Sequence, residues 1–558
     1  MPHMALKVGH AMSPSLRHLF RSFPSYAAAC LGVLLAVSTA RSAEGEAQES
    51  APRPIYIREY RVTGSQSLPP IEVQEAVYPF LGPGRTPTDV EQARAALEKA
   101  YQDKGYKAAS VSVPEQSGRG GIVLLEVREG TVGRLRVKNA RYFMPSAMKA
   151  QARSLAEGKV INFNDVQRDV VSLNQLPDRR VEPKLNPTDK PGVYDIELLV
   201  KDKSPLHGSL ELNNRYSANT PELRLSGALS YGNLWQLGHT VGTSFQISPE
   251  DLAKVKVFTA YYLARFPGND WLSVLLQGVK QNSDVSTLGG VAVAGRGEIV
   301  GLRAIATLPG RPGFFHSFTA GMDYKHFDQN VTVGLTTDQT PIHYYPLSVN
   351  YSGTWVGKKS LTELNAGATM GLRGMGSRGR NYERNRFGSD GNFFYFRGDL
   401  SRTQQLPYGL ALFGKVQGQA AGAPLVNSEQ FGGGGLNTAR GYLEAEALGD
   451  NAIFGTLELR SPSLLTEKRK IGEGENATEE PTGNEWRFYA FGDVGTLTSH
   501  EPLPDQESHF NLASIGIGSR FQLLNHFNGS VDLALPLTSL TDTHAHDPRV
   551  TFRVWADF

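Results

Sequence analysis

The chain has 558 residues, length for about three folded units, and a formal net charge of +2, which gives no sign of a nucleic-acid partner. Its apolar fraction is 40% and it holds 59 glycines and one cysteine, Cys30; that cysteine lies in an N-terminal segment that reads as removed on maturation, which excludes disulfide staples, CxxC redox chemistry and cysteine-ligated metals in the mature chain.

At the N-terminus, a basic region with Lys7, Arg17 and Arg21 precedes an apolar stretch over residues 26–37. Small residues follow, Ser38-Thr39-Ala40 or Arg41-Ser42-Ala43. That order reads as a secretory signal over 1–43, and the apolar core is short for an uncleaved anchor helix. Cys30 precedes most of the apolar stretch, which argues against a lipid-modified cysteine. Export with no later helical span leaves the periplasm, the outer membrane or the outside. Residues 44–54 form a short segment before the first folded element.

Residues 55–130 and 131–204 share one layout. Arg61-Val62-Thr63-Gly64 and Arg136-Val137-Lys138-Asn139 each close an opening strand. In the first copy Val73, Val77 and Phe80 give one apolar helix face. A second helix opens on Thr88-x-x-Glu91, read as a capping box, carries Val90, Ala93, Leu97 and Tyr101 on one side, and ends at Gly105. Strands over 106–113 and 122–128 complete the copy. In the second copy Met148, Ala152 and Leu155 mark one helix. Val166, Val170 and Leu173 mark another, which stops before Pro177, and strands over 181–185 and 194–200 follow. The order is β-α-α-β-β, twice. Such small sheets leave an open edge that can accept an extended client strand, although the layout serves a structural spacer equally well.

From 205 to 558 helical periods vanish and short alternating segments appear between Gly, Asn, Asp and Pro turns. Leu457 and Leu459 alternate with Glu458 and Arg460; Val550, Phe552, Val554, Ala556 and Phe558 oppose Arg549, Arg553 and Asp557. A soluble sandwich also alternates. A run of about 350 residues, however, fits roughly sixteen antiparallel strands of ten residues with their turns and loops. All five tryptophans fall in this portion, as interfacial girdles require, and the chain ends on an aromatic, Phe558. Because lipid cannot hydrogen-bond a backbone, a spanning sheet must close, so the portion reads as a transmembrane β-barrel.

A long connection within it contains the run from Phe431 to Tyr442, F-G-G-G-G-L-N-T-A-R-G-Y. A glycine run can fold tightly into a confined space, and Arg440 there would be costly without a partner. One strand later, Asp493 shares the inward parity of Tyr489 and Gly495. An Arg440–Asp493 ion pair pinning the loop inside the pore is one reading; a surface loop with a solvated arginine is the other.

These residues resemble signatures of the two-partner secretion transporters, the haemolysin secretion/activation family, within the superfamily of outer-membrane barrels carrying POTRA (polypeptide-transport-associated) modules. The matches are Tyr231-Gly232-Asn233-Leu234-Trp235-Gln236-Leu237-Gly238-His239, Leu173-Asn174-Gln175-Leu176-Pro177, Arg440-Gly441-Tyr442, and Phe491, Asp493 and Gly495 of F-x-D-x-G. The resemblance covers residues 55–558. It implies a barrel of about sixteen strands in the outer membrane, with two α+β POTRA modules (55–130 and 131–204) in the periplasm. It implies that Arg440 and Asp493 bind each other in the pore and that Phe558 is the terminal residue read by the barrel-assembly machinery. Its partners would be a large secreted client with an N-terminal secretion domain, captured extended and exported unfolded, and the lipid of the outer membrane. No nucleic acid, cofactor, metal or enzymatic activity is implied.

Several features set limits. Residues 44–54 are too few for the pore-plugging N-terminal helix of some family members. Gly353-Thr354-Trp355-Val356-Gly357-Lys358-Lys359 is too tight for a phosphate loop, Met375 breaks a G-x-S-x-G reading, and no H-E-x-x-H occurs. The polar stretch 463–485 falls where turns are usually short and has no explanation in the sequence. A barrel-assembly insertase is the nearest alternative function, but such proteins usually carry more modules. A passive porin lacks modules altogether.

Overall fold

A computed structural model describes residues 54–116, 119–266, 269–283, 285–286, 293–294, 296–333, 336–465, 468–471, 478–481, 483–504 and 506–558. The predicted signal with Cys30, and residues 44–53, lie outside the described residues. The chain divides between Ser204 and Pro205 into two units.

The first unit holds two β-α-α-β-β modules. In the first, β1 (Ile55–Ile57) pairs with β3 (Gly82–Arg85) as a separate two-stranded sheet. The main sheet takes β2 (Glu59–Thr63), β5 (Ile122–Arg128) and β4 (Ser110–Ser112) in that order, β2 running parallel to β5. Helices α1 (Pro70–Val77) and α2 (Pro87–Asp103) cover one face and bury Val73, Val77, Ala93, Leu97 and Tyr101 against Leu125 and Val127. The cap of α2 is one place where the sequence reading needs correction: the box is Thr86 with Asp89, not Thr88 with Glu91. The Thr86 backbone N–H and hydroxyl both donate to Asp89 Oδ2 at 2.8 Å. The reason is Pro87. Its fixed φ suits the first helical position, while its ring keeps the preceding residue extended, as Thr86 is at φ −117°, ψ 166°. Glu91 is left to pair with Arg94.

The second module orders its sheet β6 (Thr131–Lys138), β8 (Val193–Asp202), β7 (Arg179–Pro187), under α3 (Pro145–Gln151) and α4 (Phe163–Leu173). The Leu173–Pro177 motif is explained here. Leu173 and Leu176 enter the core, and the Asn174 side chain pairs with both backbone groups of Val181, at 2.7 and 3.0 Å. Gly105, at φ +96°, ends α2; a Cβ there would lie 2.6 Å from Asn162 Oδ1, and Asn162 caps α4.

The second unit is a closed antiparallel barrel of sixteen passes. In chain order these are β9 (Leu206–Asn213), β10 (Arg224–Leu234), β11 (His239–Ile247), β12 (Lys256–Phe266) and β13 (Asn269–Asn282). After a small hairpin of β14 (Val285–Ser286) and β15 (Val293–Ala294) come β16 (Arg296–Thr307) and β17 (Phe314–Val333). One pass is split into β18 (Thr336–Tyr344) and β19 (Leu347–Val356) at Pro346, which has no N–H for the ladder. The 20-residue β17 pairs with both halves. Then follow β20 (Ser360–Gly371), a loop with α5 (Gly379–Asn385), β21 (Phe393–Gln405) and β22 (Ala411–Ala421). An inward connection carries β23 (Phe431–Gly433) and β24 (Ala447–Gly449) before β25 (Asn451–Arg460). The polar stretch 463–485 contains a further hairpin, β26 (Lys468–Ile471) with β27 (Thr478–Pro481). The wall resumes with β28 (Glu485–Thr498), β29 (His509–Leu523), β30 (Phe527–Pro536) and β31 (Arg549–Asp557). Closure is made by β31 against β9, from Arg553↔Asn213 to Asp557↔Ser209. The rim where β9 begins is called the near rim below, and the opposite one the far rim.

Alternation assigns the two faces. On β28, Tyr489, Phe491 and Asp493 are buried while Phe488 and Val494 are exposed; on β25, Glu458 is buried while Leu457 and Leu459 are exposed. The exposed apolar face is the one that meets lipid. The tryptophans, however, form a single belt. Trp235, Trp271, Trp355, Trp486 and Trp555 all lie at near-rim turns or strand ends, and Trp555 has inward parity beneath Arg553. Towards the far rim the outward aromatics include Phe258, Phe394 and Phe396, and the pair Tyr324 and Tyr345, 5.3 Å between centroids.

Glu129 ties the first module together. Its carboxylate accepts from Ser67 Oγ and the Gln66 and Ser67 N–H groups at 2.7 Å, and from Tyr101 at 3.0 Å. Burial pushes its pKa up, but the four donors outweigh that and hold it below the ordinary 4.5. A depressed folded pKa gives a contribution that is complete above 4.5 and is lost as pH falls through the folded value. Urea unfolding of the modules is therefore expected to shift to lower urea on acidification below that point, and Glu129→Gln is expected to flatten this acid limb.

Candidate functional site

The connection from β22 to β25 turns into the lumen instead of leaving the far rim. Glycine makes the turn possible: Gly434, Gly435 and Gly441 have φ of 103°, 88° and 93°, which side chains rarely adopt. At Gly434 a Cβ would stand 2.3 Å from the Leu443 carbonyl. The two limbs pair as β23 and β24, from Phe431↔Gly449 to Gly433↔Ala447, and the tip presents Arg440.

Arg440, with 3% of its side chain exposed, meets three carboxylates. Its Nε and Nη2 donate to the two oxygens of Asp493 at 2.8 Å, and its backbone N–H adds a third bond at 3.1 Å. Nη1 donates to Glu458 at 2.7 Å and lies 3.7 Å from Asp532. The guanidinium carbon sits 3.4 Å over the Phe491 ring. Arg460 and Arg520 also reach Glu458, so three arginines face three acids and the cluster is neutral. The bidentate fork needs a planar guanidinium; an ammonium cannot reproduce it.

Each member of the barrel-wall motif has its own task. Phe491 is the floor under the guanidinium and Asp493 the fork acceptor. Gly495 leaves room for Phe454, since a Cβ would lie 2.1 Å from Phe454 Cδ1. Phe454 in turn stacks on Phe431, 5.7 Å between centroids, and so holds the first limb of the loop. Beside the arginine, Gly441 fits against Ala534 and Pro536. Tyr442 spans from the loop to the wall: its hydroxyl donates to the Thr538 carbonyl at 2.8 Å and accepts from the Ala513 N–H at 3.3 Å. Phe558 lies elsewhere, at the seam. Its backbone exchanges two hydrogen bonds with Gly208, and a Cβ at Gly208 would be 2.3 Å from the ring.

Residues that sequence reasoning did not single out fix the rest of the loop. Glu429 is fully buried and accepts from Lys325 Nζ, and from the Tyr344 and Tyr395 hydroxyls at 2.7 Å. Asp450 accepts from Arg386 at 3.1 Å, and Glu444 from Arg215 at 2.6 Å. Glu458 and Asp532 were missed as partners of Arg440 as well. Glu458 already showed inward parity in the sequence; the signal lacking was which strands stand beside each other across the lumen.

Comparison with known proteins gives a concordant picture. A family model described as POTRA domain, ShlB-type, matches residues 55–130, and one described as haemolysin secretion/activation protein ShlB/FhaC/HecB matches residues 192–521. The chain is similar to the outer membrane transporter CdiB of Escherichia coli O6:K15:H31 (strain 536), 26% identical over 172 residues. That match spans 31% of this chain and 29% of the relative's length. Among solved structures, CdiB from Escherichia coli aligns with a TM-score of 0.64 at 20% identity, covering 93% of each chain. CdiB from Acinetobacter baumannii aligns at 0.56 with 14% identity, covering 91% of each. At these identities the structural likeness is one of fold.

Removing Arg440 leaves three acids facing two arginines. Breaking a buried pair costs about 3–5 kcal/mol, less where water enters. Arg440→Met is expected to lower the temperature at which the folded barrel band is lost in heat-modifiability gels, and adding Asp493→Asn is expected to recover part of the loss. Gly495→Ala should show a comparable drop through Phe454 alone.

Proposed function

Since this chain belongs to the haemolysin secretion/activation protein family of the ShlB/FhaC/HecB type, we propose that it exports one large partner protein, unfolded, across the outer membrane by two-partner secretion. The barrel is an outer-membrane barrel and the modules are periplasmic, so the near rim faces the periplasm and the far rim the cell exterior. The observation that carries the reading is the loop held by a neutral, buried Arg440 cluster inside a closed wall. A sixteen-stranded wall encloses an aqueous lumen wide enough for an extended chain once the loop is displaced. The contacts of Arg440, Gly441 and Tyr442 with Phe491, Asp493 and Gly495 hold the loop in one defined place, and client passage exchanges these contacts for others.

The modules supply the docking step. Of the strands that end their sheets, β2 carries no proline, whereas β6 is already bonded through Val132 to Gly158 and Lys159, and β7 carries Pro183 and Pro187, which blunt its outer edge. An extended segment of the client's N-terminal secretion domain adds to an uncovered edge through backbone hydrogen bonds. The periplasm has no nucleotide, so folding of the client outside supplies the direction. Phe558, at the seam, is the residue that the barrel-assembly machinery reads during biogenesis, and lipid surrounds the finished wall.

Deleting the gene should remove the partner protein from the medium while other barrels still assemble; persistent secretion with failed barrel assembly would favour an insertase instead. In the intact protein, Arg440→Ala and Asp493→Ala should each cut secretion roughly tenfold or more, because loss of a few kcal/mol redistributes the loop by at least that factor. The amount of barrel in the outer membrane, read by immunoblot, should remain near wild type. Normal export by both variants would overturn the pinned-loop mechanism.

A further inference from the structure

One arc of the barrel's outer face carries a charged and aromatic cluster unrelated to the pinned loop. The near-rim turn between β16 and β17 holds Arg311, and the adjacent turn between β19 and β20 holds Lys358 and Lys359. The Val356 N–H donates to the Gly313 carbonyl at 2.6 Å, which ties these turns together. The Gln405 N–H donates to the Lys359 carbonyl at 2.8 Å, which brings in β21. There Arg402 has the outward parity of Leu400 and donates to Gln404 at 2.9 Å. All four cations are exposed. Next to them on the lipid face is a ladder of rings. Phe314 stacks on Trp355 at 4.9 Å and on His316 at 4.4 Å, and Tyr351 packs on Phe318 at 5.1 Å. The sole acid in residues 308–318, 349–364 and 400–406 is Glu363. It has inward parity and accepts from Ser401 Oγ at 3.4 Å. Within these segments the arc thus presents four exposed positive charges on the outward side, directly beside an apolar aromatic strip.

We propose that this arc is a binding site for an anionic phospholipid of the leaflet at the near rim. Arg311, Lys358 and Lys359 hold the headgroup phosphate, and the acyl chains lie along Phe314, Phe318, Tyr351 and Trp355. The physical terms agree. Cations at a membrane surface are drawn to anionic lipid, a guanidinium forks a phosphate, and aromatic rings settle at headgroup level. Long basic side chains reach the interface while their stems stay against apolar surface. The inference rests on the membrane embedding of the barrel and not on the identity of the secreted client.

The test uses the full chain in detergent, with native mass spectrometry during titration of phosphatidylglycerol, with phosphatidylcholine and inorganic phosphate as separate arms. Phosphatidylglycerol should be retained in preference to phosphatidylcholine. R311A/K358A/K359A should weaken its binding by on the order of a hundredfold, as the loss of three interfacial charges implies. Phe314→Ala with Trp355→Ala should weaken both lipids. Equal binding of the two lipids, an unchanged triple variant, or full competition by inorganic phosphate alone would overturn the site. If the triple variant lost its folded band in heat-modifiability gels, wild-type protein would decide: retention of phosphatidylglycerol must fall with added salt, and salt-independent retention sinks the proposal. Export by the triple variant is scored separately, so a lipid result leaves the secretion reading standing or falling on its own.

Discussion

The barrel is built around a cation that water does not solvate. Arg440 has been carried into the lumen on a glycine-rich turn, and its position is set by Asp493 and Glu458, with Asp532 close by. An unpaired guanidinium there would be too costly to persist, so the geometry of β25, β28 and β30 is constrained by the need to bring three carboxylates to one point. Those strands must therefore keep a single register relative to one another. A slip of one residue would turn Asp493 to the lipid and Val494 to the arginine. Closure of the wall and placement of the loop are in this sense one requirement.

Around this centre the loop is fixed at several independent places. Glu429 is gripped by Lys325, Tyr344 and Tyr395, Asp450 by Arg386, and Glu444 by Arg215. The contacts come from many strands around the lumen, so the loop samples most of the circumference. A displacement that frees the lumen must break the tip contacts, while the limbs have their own attachments nearer the far rim. Phe454, lodged over Gly495 and stacked on Phe431, couples the two regions through packing and not through charge.

Much of this was readable in the amino-acid pattern, and the reasons differ by feature. Alternation on β25, β28 and β31 gave the faces because a lipid-exposed sheet has a strict period of two. The same parity places Asp493 inward from the sequence alone. The partners Glu458 and Asp532 were not legible as partners, because which strands face each other follows from hairpin order and register, which no local pattern encodes. Glu429, Glu444 and Asp450 lie in an irregular segment with no period to betray their direction. The capping box shifted by two residues because the backbone restriction imposed by Pro87 outweighs the statistical pull of Thr88 and Glu91. Tryptophan content pointed to an interface, but nothing in composition says which rim receives the indoles.

That one-sidedness has a practical side. With all five indoles at the near rim of the wall, and none in the modules or in the inward loop, the tryptophan emission of this protein samples a single level of the barrel. Events at the docking modules or at the Arg440 tip leave no tryptophan signal of their own in the wild type. A single indole introduced in either region would be read against a background that is fixed in depth.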